Sequence, residues 1–251
     1  MGTVLSDSFS KNESERTVPI DSPSPLTQSI QKGHNGNMKK AQTILDKDIR
    51  EPLFDYLDLH YGKNRIIEEK SIGKSRADVL MVLPGKLMGL EIKSDADTYA
   101  RIETQVKDYD IFFDENMVVV GSSHAAHVGE HIPIYWGILS VELIDDKLDF
   151  YMVREPSPNP KLQIARKIKL LWRPELAALQ KKYGLYAYAG KSKDYVQKYL
   201  LAQLSEETLQ EEISEVLFER DYDAIKETID TYRVAHGAKP KRKRKYKRKR
   251  I

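Results

Sequence analysis

The stretch Arg76–Lys93, RADVLMVLPGKLMGLEIK, contains two apolar runs joined by a short polar break. The first run covers residues 76–82 and the second covers residues 88–93. Between them, Pro84 fixes φ and Gly85 permits a positive φ, which is the chemistry of a tight turn. Because each run has the length and composition of a strand, the stretch predicts two adjacent strands joined by a hairpin turn.

Ionisable residues lie at or beside the ends of these two strands: Asp78 in the first, and Glu91 and Lys93 in the second. Strand alternation places Glu91 and Lys93 on the same face. Burying charge is unfavourable unless the charge is paired or binds a metal. The two carboxylates, with the backbone carbonyl of Ile92, offer the hard oxygen ligands that Mg²⁺ or Mn²⁺ prefers. With a lysine beside them, the pattern predicts metal-assisted phosphodiester hydrolysis. A surface hairpin with ordinary polar residues is the alternative.

Asp78, followed on the next strand by Glu91-Ile92-Lys93, resembles the PD-(D/E)XK nuclease superfamily, which has the restriction-endonuclease-like fold. Ala77 stands where that motif has proline. The run EIKSDADT and the downstream pair Gln105-x-x-x-Tyr109 resemble a poorly characterised bacterial and phage family with this fold. The resemblance implies an α/β protein with a mixed β-sheet flanked by helices. It also implies a divalent-metal-dependent nuclease, with DNA favoured over RNA as substrate.

The resemblance also assigns roles to individual residues. Asp78 and Glu91 would bind Mg²⁺ or Mn²⁺, and Lys93 would stabilise the phosphate or the attacking water. Glu69 would add a carboxylate to the metal site, with an exposed edge-strand acid as the alternative reading. On the helix predicted from residues 94–97 to 113, three residues at i, i+4 and i+8 share one face. The resemblance directs that face to the site. Arg101 would contact a phosphate, Gln105 would orient a ligand or water, and Tyr109 would contact substrate.

Length and composition allow one sizeable domain with appendages in 251 residues. The absence of cysteine excludes disulfides and thiolate zinc sites. No apolar run approaches the length of a membrane span, and the N-terminus lacks the apolar core of a secretory signal. We therefore expect a cytoplasmic protein with no membrane partner, and the family resemblance implies a bacterium or a phage-infected cell as its location.

The net charge of +3 hides a strong asymmetry, because residues 239–250 contain ten Lys or Arg and no acid. The rest of the chain consequently carries −7. Such a basic segment predicts salt-sensitive, sequence-independent binding to nucleic acid. A tether to anionic membranes, a nuclear-localisation-like run and a solubility tail are the alternatives. The residues expected to contact nucleic acid are Lys241, Arg242, Lys243, Arg244, Lys245, Lys247 and Arg248.

Composition shifts predict four segments. Residues 1–38 form a disordered arm, 40–155 the nuclease-like domain, 165–235 a helical C-terminal subdomain, and 238–251 the basic disordered tail. Within the helical part, the helix–loop–helix around residues 173–200 loosely resembles a SAP-type DNA-binding motif, and a helical cap on the core is the alternative.

Three local expectations concern the nuclease-like domain. Its first helix is expected to run from about Ala41 or Asp48 to Tyr61 and to become regular near Arg50, because Pro52 suits a first turn. Residues 117–121 are almost wholly apolar, which predicts a buried parallel strand. Three histidines beyond that strand could bind zinc or lie on a short structural helix: His124, His127 and His131.

Overall fold

The computed structural model describes residues 44–222 together with Glu227 and Thr231. Within this part of the chain, six strands form one sheet whose spatial order follows the sequence. The strands are β1 (Arg65–Ile72), β2 (Ser75–Leu83), β3 (Lys86–Lys93), β4 (Glu115–Gly121), β5 (Gly137–Ile144) and β6 (Lys147–Arg154). The pairs β3–β4 and β4–β5 are parallel, and the other three are antiparallel. The predicted mixed α/β sheet is therefore confirmed.

Helices cover both faces of this sheet. They are α1 (Asp46–Tyr61), α2 (Ile102–Phe112), α3 (Ser122–Ala125), α4 (Ile164–Lys167), α5 (Arg173–Lys182), α6 (Lys193–Gln203) and α7 (Glu206–Glu219). Single 3₁₀ turns occupy Tyr99–Arg101, Val128–Glu130 and Ile168–Leu170. Helix α1 packs on one face of the sheet, and α2 with the C-terminal helices packs on the other. In the described part of the chain, no helix is long and apolar enough to span a membrane.

Two apolar clusters, one on each face of the sheet, hold the layers together. On the α1 face, Leu53 and Leu57 pack against strand residues such as Met81. On the other face, Tyr109 and Phe113 pack against β3 at Gly89, where a Cβ atom would overlap both rings. Gly89 therefore permits the close approach of α2 that brings its polar face to the end of β3.

The C-terminal helices belong to the same apolar cluster as this face of the sheet. Leu176 of α5, Val196 of α6 and Leu209 of α7 share it with Leu80 and Val118. Of the three helices, α7 contacts β2 and β3 directly, and α5 and α6 share the same apolar cluster. The predicted N-terminal arm and the basic tail lie outside the described residues.

Two expectations about helix starts are wrong: that α1 becomes regular only near Arg50, and that α2 begins at residues 94–97. Helix α1 begins at Asp46, and Pro52 lies inside it, because burial of residues such as Ile49 and Leu53 outweighs the hydrogen bond that proline cannot donate. Helix α2 begins only at Ile102. The expected cap at residues 94–97 instead forms a local turn, in which the Asp97 carboxylate accepts the Ser94 N–H at 2.8 Å.

Candidate active site

Strands β2 and β3 stop pairing at one level of the sheet. Their ladder runs from Leu83–Lys86 to Val79–Leu90 and stops there. Beyond that point β2 continues to pair with β1, and β3 continues to pair with β4. The next residues on the two strands, Asp78 and Glu91, therefore face each other across a gap between diverging strands.

Strand β1 is irregular at the same level. Glu69 has a φ of 56°, which is rare for a residue with a side chain. Ile67 and Ile72 both belong to the α2-side cluster although they are five residues apart. In a regular strand an odd separation would place them on opposite faces. The break at Glu69 therefore brings a third acidic residue beside the gap, in a strained backbone conformation of the kind that often occurs at functional sites.

Glu91 lies at the centre of a buried hydrogen-bonded network. Its Oε1 accepts hydrogen bonds from the Lys93 Nζ at 2.6 Å and from the Gln105 Nε2. Its Oε2 accepts from the Tyr109 hydroxyl at 2.7 Å. The Lys93 Nζ also donates to the Gln105 Oε1 at 3.1 Å. The sheet and α2 thus bring together four of the predicted site residues, and all four are buried.

The Asp78 carboxylate projects into the gap. Its Oδ2 accepts the Ile92 N–H at 3.0 Å, and its side chain is 21% exposed. Burial, and then the charge of Glu91, raise the pKa of Asp78 to about 7, although the Ile92 N–H and the Arg50 guanidinium act in the opposite direction. Because the N–H and C=O of one strand residue point toward the same neighbour, the Ile92 carbonyl faces the same gap.

Tyr109 separates the two strands. Its hydroxyl accepts the Asp78 N–H at 3.2 Å, and its proton can go to the Leu90 carbonyl at 3.1 Å or to Glu91. The hydroxyl therefore bridges backbone groups of β2 and β3 at the point where their ladder stops. Burial, and then the charge of Glu91, raise the pKa of Tyr109 well above its usual range, so the hydroxyl stays protonated and keeps donating.

Arg50 of α1 is part of the site and was missed in the sequence. Its guanidinium lies 2.9 Å from Asp46, 3.2 Å from Glu69, 3.3 Å from Glu68 and 3.6 Å from Asp78. The Asp46–Arg50 spacing of i, i+4 was the available signal, but it indicates only a surface ion pair. The guanidinium supplies positive charge among four carboxylates.

The remaining site residues lie outside the buried network. Glu69, the third proposed ligand, is ion-paired with Arg50 and, at 2.7 Å, with Arg76. Arg101 ends the 3₁₀ turn before α2 and is exposed. Across residues 44–222, no three His, Cys, Asp or Glu side chains are grouped so that they could hold a metal ion.

Two of the three histidines pack around Tyr99, whereas His127 is exposed and lies 3.7 Å from Glu130. The His131 ring stacks on the Tyr99 ring with centroids 4.4 Å apart, and His124 meets the same ring edge-on at 5.3 Å. Among the described residues these histidines do not form a group that could hold a metal ion, so the geometry gives the zinc alternative no support.

A family model described as bacteriophage P4 protein cII matches residues 39–237. The chain belongs to this family. The phage affiliation expected from the EIKSDADT run agrees with that finding. The description of the P4 cII family states no activity, so the chemistry has to be argued from the site itself.

Comparisons beyond the P4 cII family are sparse. No curated protein matches the chain. Among solved structures, the chain is similar to SfsA of Pyrococcus furiosus, solved in complex with Ca²⁺. The identity is 14%, the TM-score is 0.29, and the match covers 44% of this chain and 62% of SfsA. The chain therefore spans less than two thirds of SfsA, and a similarity this low carries no argument about the site.

Proposed function

We propose that the protein is a divalent-metal-dependent nuclease that hydrolyses phosphodiester bonds, with DNA as the favoured substrate. One observation carries the proposal: Asp78 and Glu91 face each other across the gap between β2 and β3, with Lys93 at 2.6 Å from Glu91. A surface hairpin would leave these residues exposed, whereas Glu91 and Lys93 are both buried. Glu91 is buried, Asp78 is half-buried, and acids with this burial beside a lysine are typical of functional sites.

The donor set fits Mg²⁺ or Mn²⁺. Two carboxylates, Asp78 and Glu91, with the Ile92 carbonyl provide hard oxygens, and Mg²⁺ usually keeps several waters in its remaining positions. The raised pKa of Asp78 reflects burial and the nearby negative charge of Glu91, both of which a cation would offset. When bound, such an ion would polarise the phosphate and lower the pKa of a water. Glu69 would contribute through Arg50 rather than as a ligand.

The other residues would act on the phosphate and on the acids. The Lys93 ammonium would donate to a non-bridging phosphate oxygen and stabilise the charge that develops there as water attacks phosphorus and the P–O bond breaks. Gln105 would hold Lys93 and Glu91 in place, since its amide donates to the acid and accepts from the lysine. Tyr109 would keep β2 and β3 apart. Arg101, which is exposed and four residues before Gln105, would contact the substrate backbone.

A second candidate is a non-catalytic nucleic-acid-binding protein on the same fold. The hydrogen bonding of Glu91 favours this candidate, because both carboxylate oxygens of Glu91 already accept hydrogen bonds from protein donors. Arg50 also places a permanent positive charge beside Asp78. In this reading the network stabilises the fold, and the basic segment at 239–250 supplies affinity for nucleic acid.

The two candidates differ in cleavage. Circular single-stranded DNA and supercoiled duplex DNA are incubated with wild type, Asp78→Asn and Lys93→Met in Mg²⁺ or Mn²⁺, and binding to the same DNA is measured in parallel. The matched control is Lys147→Met, which removes an exposed strand lysine on β6. If the protein is a nuclease, wild type and Lys147→Met cleave the DNA. Both site variants should then cleave more slowly by roughly two or more orders of magnitude and still bind the DNA. Binding without cleavage of DNA or RNA by wild type supports the second candidate. Cleavage that is equal in all four proteins contradicts the proposed site.

A further inference from the structure

A cluster of four tyrosines lies around the loop between α5 and α6. The Tyr188 ring is at its centre, with ring centroids 4.6 Å from Tyr186, 5.0 Å from Tyr195 and 4.9 Å from Tyr199, all in edge-on contacts. Tyr186 is 69% exposed and Tyr195 is 41% exposed. The cluster therefore presents Tyr186 and Tyr195 to solvent, and both rings contact Tyr188.

The loop that carries the cluster is held by side chains from the neighbouring helix. The Gln180 amide donates to the Tyr186 carbonyl at 2.6 Å, and the Arg173 guanidinium donates to the Tyr188 carbonyl. Ser192 caps α6 by accepting the Tyr195 N–H at 3.3 Å. These contacts fix the loop backbone, so the exposed rings are positioned before any ligand binds, which lowers the ordering cost of binding.

The segment that carries the cluster is mainly positive. Residues 183–203 contain Lys191, Lys193 and Lys198 against a single acid, Asp194. The Lys191 ammonium lies 5.3 Å from the centroid of the Tyr195 ring. Exposed aromatic rings beside ammonium groups suit a ligand that offers flat π-faces and negative charge together, and nucleotides of an unpaired strand have this combination.

We propose that Tyr186, Tyr188, Tyr195 and Tyr199, with Lys191, form a second nucleic-acid site on which bases of a single strand stack. Duplex nucleic acid keeps its base faces inside the helix, whereas a single strand can lay them on exposed rings. The lysines would contact the phosphates between stacked bases. The inference takes its partner, nucleic acid, from the proposed function, but it does not require hydrolysis.

The test compares ligands that differ only in their bases. Full-length protein is titrated with fluorescently labelled oligothymidylate and with an abasic oligonucleotide of the same length, in a chelator that prevents cleavage. Wild type is expected to bind oligothymidylate more tightly than the abasic strand. Tyr186→Ala and Tyr195→Ala should each weaken oligothymidylate binding roughly 5- to 150-fold and leave abasic binding unchanged. The matched control is Tyr151→Ala on β6, because Tyr151 is 71% exposed but lies outside the cluster.

Further variants separate stacking from folding and charge. Tyr186→Trp should bind oligothymidylate as tightly as wild type, unlike Tyr186→Ala, since the larger ring supports stacking. Circular dichroism checks that each variant is folded. Lys191→Gln should weaken both ligands and reduce the salt dependence by roughly 0.7 in the log–log slope per lost contact. Equal wild-type affinity for the two strands, or an unchanged affinity in both alanine variants, would overturn the proposal.

The outcome is independent of the nuclease assay. If wild type never cleaves but the tyrosine variants lose base-dependent binding, the tyrosine site stands and the nuclease proposal fails. If wild type cleaves through Asp78 and Lys93 while the tyrosine variants bind normally, the nuclease proposal stands and the tyrosine site fails. Tighter wild-type binding to duplex than to single strand, with the tyrosine variants behaving as wild type, would assign duplex recognition to other surfaces.

Discussion

Asp78→Asn tests whether electrostatic repulsion is built into the site. The pKa of Asp78 is raised from 3.8 to about 7, first by burial and then by Glu91. An acid with a raised pKa keeps its proton in the folded state, so the free energy of unfolding falls as pH rises between these two values. Because one pKa unit corresponds to about 1.4 kcal/mol, the ionised carboxylate lowers stability by about 4 kcal/mol above pH 7. Asparagine removes the charge and keeps an oxygen that can accept the Ile92 N–H.

The assay is urea unfolding of wild type and Asp78→Asn in a chelator, from about pH 4 to about pH 8. At the acid end both side chains are neutral, and the two proteins should have similar stability. At the alkaline end the variant should be more stable by up to about 4 kcal/mol. The control is Asp149→Asn on β6, which replaces an exposed acid outside the site.

Two results would refute the reasoning. A difference between wild type and Asp78→Asn that does not change with pH would mean that the pKa of Asp78 is not raised. The second test adds Mg²⁺ or Mn²⁺ at the alkaline end of the pH range, without chelator. The ion should stabilise wild type more than Asp78→Asn, because a ligand that binds the folded state raises its stability. An equal effect of the ions on both proteins would contradict Asp78 as a metal ligand.

Two further substitutions test how the site is held. Tyr109→Phe removes the hydroxyl that bridges Asp78 and Glu91, so we expect a loss of about 1–3 kcal/mol in urea unfolding together with reduced cleavage; unchanged values for both would show that the bridge is dispensable. Gly89→Ala places a methyl group against the ring of Phe113, and a loss of about 1–3 kcal/mol is expected. An unchanged urea midpoint in Gly89→Ala would show that α2 can move away from β3 at little cost.

Local sequence chemistry predicted much of the sheet. Pro84 and Gly85 terminate two apolar runs, and the structure has the expected turn between β2 and β3, with Gly85 at a φ of 74°. The apolar run at 117–121 was expected to be a buried parallel strand, and β4 is parallel to both of its neighbours. These features depend on turn preference and burial, which short stretches of sequence encode directly. The expectation that α1 becomes regular only near Arg50 was wrong, because Pro52 was weighed by its local preference alone, without the burial that anchors the helix.

The sequence by itself determined that Asp78 and Glu91 would be neighbours, because a hairpin of this length places them opposite each other. It also placed Gln105 and Tyr109 on one face of a helix. Only the tertiary structure decided that β2 and β3 separate at that level, that the Tyr109 hydroxyl bridges them, and that Arg50 lies among the acids. Those contacts join residues far apart in the chain, and they arise from how helices pack on both faces of the sheet, which no local pattern specifies.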